Sequence, residues 1–335
     1  MGINKITGRL LLATFLLVLI SCGDKKQPAQ TTESPKKNQV FVPEFSQDSA
    51  YQFVKEQLAF GPRVPNTKAH AACAEYLVNK MKSYGANVIV QEAKVKAFDQ
   101  STLNIKNIIA QFDEANPNRI LLFAHWDSRP FADHHPEASR RDEPIDGAND
   151  GASGVAVLME IARQFKEHPT SYGIDIIFFD AEDMGTPDHR NLPYDPDTWC
   201  LGSQHWSKNI HKMGYYPKYG ILLDMVGGKG ASFYQERFSL SYAGNIVEKV
   251  WNTAHELGFG SYFPKEQGGM ITDDHLYINR ITGIPSIDII QHDPNTPSGF
   301  GAFWHTHDDN LDAVDPFTMM MVGKTVMTVI YREGK

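Results

Sequence analysis

Acidic and imidazole side chains recur at the ends of the apolar runs of this chain, a pattern that suits a metal-dependent enzyme. His125-Trp126-Asp127 closes one run, and Asp146-Gly147-Ala148-Asn149-Asp150 stands at the mouth of a helical stretch. Asp180-Ala181-Glu182-Asp183 closes a further run and Asp224 another; a last run contains Asp288 and leads to Trp304-His305-Thr306. Ligands of open α/β sheets bind outside the carboxyl ends of the strands. Catalytic zinc takes three nitrogen or carboxylate-oxygen ligands and keeps one position open. Asp150, Asp183 and His305 can supply one such set, with His125 and Asp224 where a second metal could share Asp150. Glu182 and Asp183 are adjacent, and neighbouring side chains of extended chain diverge, so one can ligate while the other handles protons. Taken singly, Asp150 could cap a helix, Asp224 could end a strand in a turn, and His125 could be a bonded core histidine. Caps need no histidine and no paired acids, so the recurrence points to a site.

The elements that must position these residues can be read from hydrophobic spacing. Ser49 to Phe60 and Thr67 to Tyr84 have helical periodicity, with Gly61-Pro62-Arg63 breaking the chain between them. Asn87 to Ala97 and Leu103 to Phe112 alternate in polarity and are rich in β-branched residues, which predicts two neighbouring antiparallel strands. From Arg119 the pattern becomes short apolar runs (Ile120 to Ala124, Ile174 to Phe179, Gly220 to Leu223, Ile284 to Ile290) separated by helical stretches. Those stretches include Gly151 to Phe165, Asn245 to Leu257 and Asp315 to Tyr331. This is α/β order, and no second linker divides it, so residues 41–335 are expected to form a single globular catalytic domain.

The N-terminus predicts where that domain works. Lys5 and Arg9 precede an apolar run, Leu10 to Ile20, too short to span a bilayer as a stable helix, which reads as a signal peptide over residues 1–21. Leu19-Ile20-Ser21-Cys22 resembles the bacterial lipobox, which implies that Cys22 is lipidated and becomes the mature N-terminus. Residues 22–40 then read as a lipidated end and a flexible polar tether. The expectation is an exported lipoprotein, anchored to a membrane and facing the periplasm or the cell surface. Cys73 and Cys200 remain, and a disulfide between them is permitted by an oxidising compartment without being demanded. A net charge of -8 with no sustained basic run gives no electrostatic footprint for nucleic acid, so no such partner is expected.

The motifs resemble a known group. His125-Trp126-Asp127-Ser128, Gly147-Ala148-Asn149-Asp150-Gly151-Ala152-Ser153-Gly154, Phe178-Phe179-Asp180-Ala181-Glu182-Asp183, Leu222-Leu223-Asp224, Asp273-Asp274-His275 and Trp304-His305-Thr306-His307-Asp308-Asp309-Asn310 stand in the order of the zinc aminopeptidase-like fold. Within it they are similar to the animal-type glutaminyl cyclases and their bacterial relatives. The resemblance implies a central mixed, mostly parallel sheet flanked by helices, one zinc ion with a second possible, and peptide or protein substrates with N-terminal glutamine. It implies Asp150, Asp183 and His305 as zinc ligands, Glu182 as acid/base, Asp224 as the acid supporting the reacting groups, and Asp274, taken over Asp273, in the network beside the metal. His125, Asp127 and Asp288 become second-metal or supporting residues, with Trp304 and Trp199 at the substrate pocket.

The chain departs from the animal pattern in three places. Asp183 stands for a glutamate, Asp288 for a histidine, and the insert from Gly185 to Thr198 differs, which alters the pocket rim. Two other readings use the same residues: a two-zinc aminopeptidase in which Glu182 activates a bridging water, and a zinc-binding module without activity.

Overall fold

The computed structural model describes Gly2 and residues 40–334, so the expected signal peptide, Cys22 and nearly all of the tether lie outside the described residues. Two capped helices open the described domain. Ser46 accepts a hydrogen bond from the Ser49 amide at the start of α1 (Gln47–Leu58), and Thr67 accepts one from His70 at the start of α2 (Lys68–Ser83). Each cap satisfies an amide that the first helical turn leaves without a partner.

Six strands follow: β1 (Asn87–Lys96), β2 (Thr102–Phe112), β3 (Arg119–His125), β4 (Gly173–Phe179), β5 (Gly220–Asp224) and β6 (Ser286–Ile290). They form one sheet in the order β1-β2-β4-β3-β5-β6. β4, β3, β5 and β6 pair in parallel, while β2 is antiparallel to both β1 and β4. The expected mixed, mostly parallel sheet and the antiparallel β1/β2 pair are both present.

All of β3, β4, β5 and β6 is buried, because helices cover both faces of the parallel part. Successive residues divide between two cores. Ile120, Leu122 and Ala124 face α1, α2, α3 (Ala152–Phe165), α5 (Arg237–Glu256) and α7 (Pro316–Arg332), whereas Leu121 and Phe123 face Trp206 of α4 (Leu201–Lys208), Tyr215 and Ile278. Each fully buried Leu, Ile or Phe contributes about 1.5–3 kcal/mol relative to exposure.

The structure differs from the expected elements at three points. α5 begins at Arg237 because Glu236 accepts hydrogen bonds from the Phe238 and Ser239 amides, and a break at Ala243 (φ -145°) separates this first segment from the periodic stretch. α4, a polar-rich helix of eight residues, has too short a pattern to read. β6 starts at Ser286 because Gly283 and Pro285 occupy the turn before it. Beyond β5, the short helix α6 (Asp274–Tyr277) runs into one π-helical turn over Ile278–Thr282.

Candidate metal centre and active site

The strand ends and one glycine aim the acids at a common point. Gly151 sits at φ +95°, and a Cβ there would lie 2.5 Å from the Asp127 carbonyl and 3.1 Å from the His125 ring. Only glycine allows so close a turn in that conformation. The turn makes Gly151 the residue before α3 and swings the Asp150 carboxylate away from the helix, which has no side-chain cap. The Asp309 carboxylate holds the turn in place by accepting hydrogen bonds from the Asn149 amide at 2.7 Å and the Asp150 amide at 3.0 Å.

Asp150 stands between two histidines. His305 Nε2 lies 3.6 Å from Asp150 Oδ2 and 3.3 Å from Asp183 Oδ1, and His125 Nε2 lies 3.0 Å from Asp150 Oδ1 and 3.1 Å from Asp224 Oδ1. Two buried donor sets result, Asp150/Asp183/His305 and His125/Asp150/Asp224, each with its donor atoms within 4.8 Å of one another. The first set fits zinc: one imidazole nitrogen and two carboxylates, and the buried Asp183 Oδ2 has no hydrogen-bond partner. The structure therefore brings together all five of the residues expected to surround one or two metals.

The other expected residues divide in position. Asp127 Oδ1 and Oδ2 accept the amide hydrogens of Glu182 and Asp183, at 3.0 and 3.2 Å, and so fix the backbone that carries the acid pair. Trp304 stacks on His305 with centroids 3.7 Å apart, and Trp199 lies parallel to the same ring at 6.1 Å. Asp288 groups with His275 and Asp273. Asp273, the acid passed over in favour of Asp274, has a donor atom within 4.8 Å of both Glu182 and Cys200. Its Oδ1 accepts the Asp274 amide at 2.6 Å as the cap of α6, and neither carboxylate oxygen of Asp274 has a hydrogen-bond partner. Asp273 thus groups with Glu182 and Cys200, while the charge of Asp274 also bears on Glu182.

Four residues beside the metal set had no recognised role in the sequence. Asp133 Oδ1 lies 3.1 Å from His305 Nδ1 and also accepts from Arg129 Nε at 2.9 Å. Arg129 in turn donates to the Asp183 carbonyl at 3.0 Å and places its guanidinium 4.5 Å from the Trp199 ring. Cys200 directs its thiol to Glu182 Oε1 at 3.1 Å. Asp309 lay within a quoted motif, but nothing in sequence spacing revealed that it binds amides 160 residues away. Arg129 and Asp133 sit in a loop without periodicity, and their four-residue spacing was the only available signal.

Four non-glycine residues of this region have positive φ: Ala181 (53°), Cys200 (55°), Met225 (48°) and His305 (53°). Such conformations persist where surrounding structure enforces them, and they gather at functional sites. Burial raises the Glu182 pKa well above the carboxylate range, and the charges of Asp273, Asp183 and Asp274 add to this against His125. Burial also pushes Asp224 up to about 6, with Asp150 and Asp183 assisting and His125 opposing. Asp273 rises to about 7 through burial and the nearby Asp224. A carboxylate of raised pKa beside a metal set is equipped to accept a proton and return it near neutral pH.

The model of peptidase family M28 matches residues 107–330, which include every donor of both metal sets. The chain belongs to peptidase family M28. Among M28 relatives, the aminopeptidase YwaD of Bacillus subtilis is 29% identical over 289 residues, covering 84% of this chain and 56% of that protein. A zinc-dependent exopeptidase from Parabacteroides distasonis is 54% identical, with a TM-score of 0.86 over 88% of this chain and all of the other. The glutaminyl cyclase of Bacteroides thetaiotaomicron, solved with N-acetylhistamine, is 50% identical, with the same TM-score and the same coverage. M28 relatives are zinc-dependent, which agrees with the nitrogen and oxygen donors assembled in this chain.

Proposed function

We propose that this chain is a zinc-dependent glutaminyl-peptide cyclotransferase, converting N-terminal glutamine of peptides and proteins to pyroglutamate with release of ammonia. The observation that carries the reading is the position of Glu182. It is a nearly dry carboxylate of raised pKa, adjacent in the chain to the donor Asp183 and within reach of the acid Asp273. The half-identical glutaminyl cyclase supports it.

Asp150, Asp183 and His305 would hold a single zinc ion. Bound there, zinc supplies Lewis acidity toward the γ-carboxamide carbonyl of the substrate. Glu182 takes a proton from the α-amine as that amine attacks the carbonyl carbon of the γ-carboxamide, then returns it to the departing amide nitrogen, which leaves as ammonia. Asp224 faces the same space and holds the amine in place. Nucleophile and electrophile belong to one residue, so orientation is the main remaining requirement. Trp304 and Trp199 flank His305 and give the pocket apolar walls, which suits a reaction that consumes no water.

A second reading is favoured by one observation: His125, Asp150 and Asp224 form a ready second donor set sharing Asp150. With two metals the chain would act as an aminopeptidase, as YwaD is named. Products decide between them. Incubation of the zinc-loaded protein with a glutamine-initiated peptide should release ammonia and leave a blocked N-terminus, abolished by a chelator; release of a free amino acid would establish the peptidase instead.

We further propose that the chain is exported and lipidated at Cys22, on the strength of its lipobox-like segment. Labelling of expressing cells with a fatty acid should mark the wild type and not a Cys22→Ala variant.

A further inference from the structure

Cys200 is buried, carries no disulfide, and is held in the left-handed conformation (φ 55°, ψ 35°). Its amide donates to the Glu182 carbonyl at 2.9 Å, and the next amide, of Leu201, donates to the Ala181 carbonyl at 3.0 Å. Two adjacent hydrogen bonds therefore clamp the strained residue against the segment carrying the acid pair. The clamp aims the thiol at Glu182 Oε1, 3.1 Å away, the only hydrogen bond to the Glu182 side chain among the described residues.

A third donor completes the arrangement. Asp273, 2% exposed, uses Oδ1 to accept the Asp274 amide, while its Oδ2 is buried without a partner. Glu182, Cys200 and Asp273 each offer an atom within 4.8 Å of the other two. An ion bonding one sulfur at about 2.3 Å and two carboxylate oxygens at about 2.0–2.2 Å draws its donors to about 3.4–3.6 Å of one another, inside that limit.

We propose that Cys200, Glu182 and Asp273 form a second, inhibitory cation site for thiophilic divalent metals such as cadmium, or zinc in excess. Thiolate selects soft metals, and the Asp150/Asp183/His305 set contains no sulfur. As the metal–sulfur bond forms, the thiol proton is released to solvent, so binding liberates at least one proton per ion. The occupied site ties up Glu182, and the enzyme loses its proton carrier. Inhibition rests on the role proposed above for Glu182; binding does not.

The test is titration of the zinc-loaded protein with cadmium, following the ultraviolet charge-transfer band of a cadmium–thiolate bond and, in parallel, ammonia release from a glutamine-initiated peptide. Wild type should develop the band and lose activity together. Cys200→Ser should lack the band, and the cadmium concentration that halves its own starting rate should rise at least about tenfold. Asp273→Asn, which keeps the thiol, should show the band only at higher cadmium. No band in the wild type, or an equal band in Cys200→Ser from Cys73 or Cys22, overturns the site. A band without inhibition overturns the inhibitory role and the assignment of Glu182, whereas a wild type that releases no ammonia yet shows the band keeps the site and defeats the cyclase reading alone.

Discussion

His305 Nδ1 lies 3.1 Å from Asp133 Oδ1, while Nε2 of the same ring points to Asp150 and Asp183. The carboxylate stands beside the nitrogen turned away from the metal set, and Arg129 anchors the carboxylate in turn. Asp133→Asn should therefore weaken zinc binding by about 10–100-fold, as measured by competition with a chromophoric chelator, and saturating zinc should restore most of the activity. Unchanged zinc affinity would refute this function of the pair.

Glu182→Gln keeps the shape of the side chain but removes its capacity to accept a proton. Turnover should fall by about 10²–10⁴-fold with zinc content equal to wild type. Full activity in this variant would eliminate the proton-shuttle role, whichever product the enzyme makes.

The neighbouring acids Asp273 and Asp274 should separate sharply. Asp273 lies beside Glu182 and is raised to about 7, so Asp273→Asn, which removes a charge next to the proton carrier, should lower turnover by about 10–100-fold. Burial raises the pKa of Asp274 well above the carboxylate range, and asparagine keeps the shape of this side chain without its charge. Asp274→Asn should stay within a few-fold of wild type; steady-state kinetics on both variants would expose the reverse assignment.

Glu236 provides a pH-dependent element of stability away from the metal ligands. Burial acts to raise its pKa, but His275 and the Phe238 and Ser239 amides hold it down to about 2, below the ordinary 4.5. A pKa depressed on folding stabilises fully above the unfolded value, and the contribution is lost as pH falls through the folded one. Glu236→Gln should thus cost on the order of 3 kcal/mol at pH 7 in urea unfolding of the zinc-free protein, and the difference should shrink as pH falls from about 4.5 toward 2. A difference independent of pH would assign the effect to packing.

Much of the site was legible because its metal donors lie at strand ends, at the mouth of a helix (Asp150) or in the loop after the last strand (His305), and strands and helices announce themselves as apolar runs. Asp150, Asp183, Asp224, His125 and His305 could all be named on that basis. Asp273 was passed over because adjacent acids look alike in sequence; the capping of α6 by Asp273, which sets the two side chains apart, is a backbone property. Arg129, Asp133 and Cys200 were illegible for a related reason. They act through loop conformations with no periodicity, and their partners are distant in the chain. In the fold, the four parallel strands were clear, whereas α4 was too short and the first part of α5 lay beyond the break at Ala243.

The four positive-φ residues around the site have a consequence for engineering. Glycine at Ala181, Cys200, Met225 or His305 would relax the backbone, so a selection that rewards heat resistance alone would drift toward glycine there. His305 would take its imidazole with it, and the other three would loosen the frame that aims the acids. A thermally improved library of this enzyme would therefore accumulate well-folded but slow members at these four positions, and screening must count turnovers as well as survivors.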